Sequence, residues 1–224
     1  MKLDQILSQQ KAQENIYKIL SVLYHAPEES ILESELLDNL IESAEFISEK
    51  LGNMAQDIKT EFVSTENFQD LKVDHSKLFV GPFELLAPPY GSVYLEKEGT
   101  VMGDSTMNVI NTYKELGLDR SDDFKEPHDH IIAELEFLYY LTFNSIKETG
   151  NENYKEALEY LEAHQNFLAK HLAAWVSDFA AKIKEHANTE LYKKLAELTE
   201  SFIKDEVDDI LEQSISKVQE LIND

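Results

Sequence analysis

Residues 154–187 read YKEALEYLEAHQNFLAKHLAAWVSDFAAKIKEHA, with neither glycine nor proline. Leu158, Leu161, Phe167, Leu168, Leu172, Trp175, Val176, Phe179 and Ile183 recur within it at helical spacing, the pattern of a helix with one buried face. One long helix or two in series satisfies the stretch. Downstream, Asn188-Thr189 offers a break and a new cap. Leu191, Leu195, Leu198, Phe202, Ile203, Val207, Ile210, Leu211, Ile215, Val218 and Leu221 then predict a final helical stretch.

The N-terminal part has the same texture. Leu3, Ile6, Leu7, Ile16, Ile19, Leu20 and Leu23 mark a first helix that Pro27 interrupts. Ile31, Leu32, Leu36, Leu37, Leu40, Ile41 and Ile47 mark a second, with Gly52-Asn53 as its C-cap. Shorter helices fit Met54–Val63 and Phe68–Phe79, the latter stopped at Gly81-Pro82. Glycine (7) and proline (5) are scarce, and strand-type alternation is confined to a few residues around Ser92–Leu95. The fold class expected is all-α: a single helical bundle domain spanning residues 1–224.

The middle of the chain differs. From Gly81 to Asp104, Pro82, Pro88, Pro89, Gly91, Gly99 and Gly103 alternate with Phe83, Tyr90 and Tyr94. So many aromatic side chains predict an ordered loop rather than a flexible linker. Ser105 is placed to cap a helix running to Glu115 and stopped by Gly117. Leu118–Glu126 is a connection and a natural hinge. Pro127 then occupies a first helical turn, with His128–Ile146 as a strongly apolar helix.

Lys and Arg total 20 against 44 Asp and Glu, a formal net charge of −24. Such a surface repels nucleic-acid phosphates and attracts basic partners. The absence of cysteine excludes disulfides, thiolate catalysis and Cys-ligated metal centres. Met1–Leu20 carries Lys2, Asp4, Lys11 and Glu14 among its apolar residues, so a secretory leader is not expected. With no apolar run of about 18 residues either, a cytoplasmic protein without stable membrane insertion is expected.

The densest polar cluster is Glu126-Pro127-His128-Asp129-His130, followed by Glu134. A metal site could draw on His130 and Glu134, four apart on one helical face, with a remote third ligand. A small metal-dependent hydrolase using His128, His130 and Glu134 is the enzymatic alternative. A catalytic His–Asp pair would need a nucleophile, and no matching serine context is present. A recognition site, with Glu126, Asp129 and Glu134 drawing in a cation while His130 hydrogen-bonds, needs no activated group. A purely structural reading stands beside these, with Asp129 capping a helix and His130 bonded inside the bundle. Pro88-Pro89-Tyr90-Gly91-Ser92-Val93-Tyr94 offers aromatic faces for an extended peptide, or an aromatic lid packed on the helices. The GxxxxGK[ST] phosphate loop is absent, Lys97 preceding Gly99 and Gly103.

Four short segments in order, Leu78-Phe79-Val80-Gly81-Pro82, Pro88 to Tyr94, Met102-Gly103-Asp104-Ser105-Thr106 and Glu126 to Leu138, resemble the TorD family of molybdoenzyme maturation chaperones. The family's EPxDH element is met in full. The resemblance implies an all-helical, non-catalytic protein of the cytoplasm; no cofactor is expected, and direct binding of guanine nucleotide or molybdenum cofactor is left open by it. Its implied partners are the twin-arginine signal peptide and the apo-form of a molybdopterin-dependent catalytic subunit, whose cofactor insertion it assists and whose export it delays. It also implies that Glu126, Pro127, Asp129, His130 and Glu134 line the signal-binding side, joined by Phe79, Tyr90, Ser92, Tyr94 and Gly103 from the loop. A monomer or a homodimer, including one that exchanges helices, is compatible with it.

Overall fold

The computed structural model describes residues 2–81, 84–96, 101–118 and 124–223. Pro82, Phe83, Lys97, Gly99 and the centre of the 118–126 connection, named above as loop and hinge, lie outside them.

The described chain is helical almost throughout: α1 (Lys2–Leu23), a 3-10 turn (Glu29–Glu33), α2 (Leu36–Ile47), α3 (Glu49–Ser64), α4 (Phe68–His75) with a π turn (Ser76–Val80), α5 (Gly91–Leu95), α6 (Asp104–Glu115), α7 (Ile131–Gly150), α8 (Tyr154–Lys170), α9 (Leu172–His186), α10 (Glu190–Asp205), a second π turn (Glu206–Ile210) and α11 (Leu211–Asn223). The all-α expectation is met. The long helices pack as a closed ring, α1 on α7, α7 on α8, α8 on α9, α9 on α10, α10 on α3, α3 on α2 and α2 back on α1. Inside it lies one contiguous apolar cluster, with Tyr17, Phe167, Trp175, Phe179, Tyr192 and Phe202 among its largest members.

The boundaries have local causes. The 154–187 stretch is two helices in series, broken at His171, whose backbone (φ −119, ψ −99) is not helical. Ile31 and Leu32 fall in the 3-10 turn rather than in α2, and Leu32 is exposed. Gly52 does not cap a helix: it lies inside α3, where an added Cβ would press into Glu45, whose Cα is only 3.1 Å away. The glycine lets α2 and α3 approach closely. The break is at Ser48, whose Oγ caps α3 by accepting the Leu51 amide (3.2 Å). Gly117 ends α6 as expected, at φ +71, with its amide and that of Leu118 bonded to the Lys114 and Tyr113 carbonyls.

Two buried carboxylates tie distant elements. Asp74, on α4, accepts hydrogen bonds from the Asn188 amide and side chain and from the Thr189 amide and hydroxyl, all at 2.8–3.1 Å. The recap expected of Asn188-Thr189 is thus supplied from another helix, and the anion sits at the positive end of α10. Glu206 opens the second π turn and is fully buried; Gln13 Nε2 reaches both its oxygens (2.8 and 3.0 Å). Beside it, Tyr17, His164 and Thr142 form a hydrogen-bonded chain (3.0 and 3.2 Å). The final stretch is therefore two helices joined by a π turn that accommodates an inward-facing acid.

Asp74→Ala is expected to destabilise the fold by about 2 kcal/mol, since it removes the acceptor for the Asn188 and Thr189 donors that caps α10. The denaturation midpoint should drop with an unchanged denaturant slope, and a midpoint like that of the parent would refute this role. Burial pushes Glu206 up to about 8 from 4.5, against the opposing pull of Gln13 and Tyr17. Between those values the folded chain holds a proton that the unfolded chain has lost. The associated stability is complete at low pH and is lost as pH rises through about 8. Glu206→Gln should flatten the decline by about 1.4 kcal/mol per pH unit over that window. An unaltered slope in pH-dependent denaturation would mean that Glu206 is ionised when folded.

Candidate functional site

The loop end of the bundle is built where residues 88–96 cross the start of α7. The Ile131 amide donates to the Pro89 carbonyl (2.9 Å), the Gly91 amide to the Asp129 carbonyl (2.8 Å), and the Ser92 amide to Asp129 Oδ2 (2.7 Å). Tyr90 and His130 form an antiparallel bridge, the one isolated bridge among the described residues. Because His130 is extended to make it (φ −71, ψ 140), α7 begins at Ile131 rather than at His128, and Pro127 lies in the preceding turn. His130 itself caps the helix, its Nδ1 accepting the Ile132 amide (3.1 Å). Burial drives its pKa from 6.5 down to about 3, so the ring is neutral and able to accept.

Residues 91–95 are a short helical turn, not a strand, since the leading amides go to Asp129. Gly91 lies directly on Trp175, and a Cβ there would come within 2.9 Å of the indole nitrogen. That nitrogen donates to Glu134 Oε2 (3.1 Å). Burial raises the Glu134 pKa well above the ordinary carboxylate range, with the indole bond opposing. Tyr94 stacks on Trp175 (5.5 Å between centroids, 16° between planes) and donates to the Pro88 carbonyl (2.8 Å).

The ten candidate residues therefore divide by position. Asp129 and Glu134 are each 1 % exposed and His130 7 %, with Ser92 fully enclosed. Tyr90, Tyr94, Gly103, Glu126 and Pro127 are half-buried at the rim, where the Tyr90 hydroxyl donates to Glu126 Oε2 (2.7 Å). Phe79 is a core ring against Tyr24, His75, Phe179 and Tyr192, and Phe179 in turn contacts Tyr94. His128 lies against Tyr113, and His128, His130 and Glu134 do not gather. No group of three or more metal-binding side chains forms among the described residues.

Two further participants escaped the sequence reading. Trp175 looked like core and is core, yet it is also the surface on which Gly91 and Tyr94 rest. Glu96 caps α6 from outside, its Oε1 accepting both the Ser105 amide and hydroxyl (2.8 Å each). Ser105 is thus a donor rather than the cap, and Gly103 is the N-cap residue. A Cβ on Gly103 would lie 2.6 Å from the Glu96 carboxylate. An acid nine residues ahead of a Gly-Asp-Ser start was the available signal.

These features define an all-α bundle with a rigid aromatic loop pinned across the start of one inner helix. The model of the family described as nitrate reductase delta subunit matches residues 35–181, and the chain belongs to that family, which bears out the TorD-type resemblance. Among curated relatives, the Tat proofreading chaperone DmsD of Salmonella paratyphi A is 31 % identical over 134 residues, covering 60 % of this chain and 59 % of the relative. The chaperone protein TorD of Shewanella loihica is 26 % identical over 156 residues, 67 % of each chain. A crystal structure described as a redox enzyme maturation protein from Archaeoglobus fulgidus shares the fold, with a TM-score of 0.56 at 22 % identity over 85 % of this chain and 93 % of its own. These relatives are named as chaperones or maturation proteins rather than enzymes. No helix among the described residues is long and apolar enough to cross a membrane.

Asp129→Ala should release the loop from α7 without unfolding the bundle, at a cost of about 2 kcal/mol. Hydrogen exchange should accelerate at the amides of Gly91, Ser92 and Ile131 while those of α8 and α9 stay protected. Unchanged protection at the three amides would remove Asp129 from this role.

Proposed function

We propose that this protein is a non-enzymatic, cytoplasmic maturation chaperone. It binds the twin-arginine signal peptide and the immature catalytic subunit of a molybdopterin-dependent oxidoreductase, assisting cofactor insertion and delaying export. The observation that carries the proposal is the rim at the start of α7, where Tyr90 holds the Glu126 carboxylate at 2.7 Å above a buried brace. A signal of this kind presents guanidinium groups beside an apolar segment, and its receptor wants a carboxylate next to aromatic faces. Tyr90, Tyr94, Glu126 and Pro127 are the members of the candidate set that a peptide can touch. Asp129, His130, Glu134 and Ser92 act on it through the shape of the loop and are positioning residues. The net charge of −24 adds long-range attraction for a basic segment.

Calorimetric titration with a twin-arginine signal peptide, against the same peptide with both arginines replaced by glutamine, tests this at two salt concentrations. Binding is expected to weaken with the replacement and with salt, and Glu126→Gln should cost about tenfold in affinity. No binding of either peptide would overturn the recognition reading.

A further inference from the structure

Met102 has a left-handed backbone, φ +69, which an unbranched side chain other than asparagine or aspartate adopts at a cost. Its side chain gains no burial in return. It is 69 % exposed, and Leu95 (38 %), Val101 (47 %) and Met107 (51 %) are exposed around it in sequence. The surrounding contacts impose this conformation. Ser92 Oγ accepts the Met102 amide (3.2 Å), Glu96 clamps Ser105, the Gly103 carbonyl accepts the Met107 amide (3.2 Å), and Gly103 leaves room for the Glu96 carboxylate. Ser92 is fixed in turn by Asp129. A chain of polar contacts running from α7 thus ends by holding a methionine out in water.

We infer that Leu95, Val101, Met102 and Met107 form the docking surface for the apolar segment of a basic-apolar peptide, an inference that rests on the signal-recognition reading above. Flexible, polarizable methionines suit apolar partners of varied sequence. Charge selects the occupant. Residues 84 to 113 of the sequence carry four acids, Glu84, Glu96, Glu98 and Asp104, against one base, Lys97. A partner segment carrying positive charge beside its apolar run is favoured there. A second copy of a chain with net charge −24 is disfavoured. Ser92 and Gly103 then serve recognition without touching the peptide, by fixing the backbone that displays Met102.

The test uses the full chain and two synthetic peptides, one with two adjacent arginines followed by a Leu/Ala-rich stretch and one with that stretch replaced by Ser/Gly. Glycine and asparagine both accept the Met102 backbone angle, so Met102→Gly and Met102→Asn, each combined with Met107→Ser, should melt like the parent. Both double variants should lose about tenfold or more in affinity for the apolar peptide, a loss insensitive to salt. They should bind the Ser/Gly peptide as the parent does. Parent-like affinity of the double variants for the apolar peptide overturns the docking surface while leaving arginine recognition intact. Failure of the parent to bind either peptide overturns both. Concentration-dependent dimers in sedimentation that vanish in the double variants would assign the patch to self-association instead.

Discussion

The loop end of this bundle depends on one residue being held from both its main chain and its side chain. Asp129 offers its carbonyl to Gly91 and its carboxylate to Ser92, two consecutive amides of another segment. Its neighbours complete the attachment through Tyr90–His130 and Ile131–Pro89. Each bond alone is worth about 1 kcal/mol net, but an unsatisfied buried donor costs more than a formed bond gains. Losing the carboxylate therefore affects a patch of backbone rather than a single contact. It also explains why α7 starts late: a helical His130 could not pair with Tyr90.

The same device recurs elsewhere. Asp74 caps α10 from α4, Glu96 caps α6 from the end of α5, and Glu206 meets α1 through Gln13. Each replaces a short-range contact by one that exists only once the bundle is assembled. Helix ends that cap themselves can form early and fray independently, whereas those capped from elsewhere depend on tertiary packing. Two of the interior acids, Glu134 and Glu206, have pKa values raised by burial. At Glu206, pushed up to about 8, the interior near neutral pH thus carries a hydrogen-bonding acid without the cost of a buried charge.

That dependence sets what could be read from the sequence. The apolar periodicity of 154–187 and of the first helix identifies an all-helical fold because a buried face needs no knowledge of its partner. Gly117 is legible for the same reason: a left-handed stop is a local property. Gly52 reads as a cap and turns out to be a close contact with Glu45, a fact about two helices at once. At the site, the Glu126–Glu134 cluster is conspicuous in the sequence, but its division into a buried brace and an accessible rim is not. A carboxylate aimed at a loop amide and one aimed at solvent have the same spelling. Trp175 is invisible as a site residue because its partner lies 41 positions away, whereas Glu96 is signalled only by an acid nine residues ahead of Ser105.

Under the proposed function, the burial of Asp129, His130 and Glu134 bears on how the loop would receive a peptide. A flexible loop that orders on binding loses affinity to the entropy of its ordering; one fixed beforehand does not. Here the fixing is done below the surface, with Trp175 under Gly91 and Tyr94, and Asp129 beneath the 91–92 backbone. The rim is left with few contact groups, Tyr90, Tyr94 and Glu126, in a set geometry. Long-range attraction needs no such precision, because the charge of −24 is spread over the whole chain. Under the proposed function, encounter and discrimination separate: the distributed charge would draw a basic segment in, and the pinned loop would decide whether it fits. A change in surface charge far from the loop should then alter association rates and salt dependence, while a change in the brace should alter dissociation.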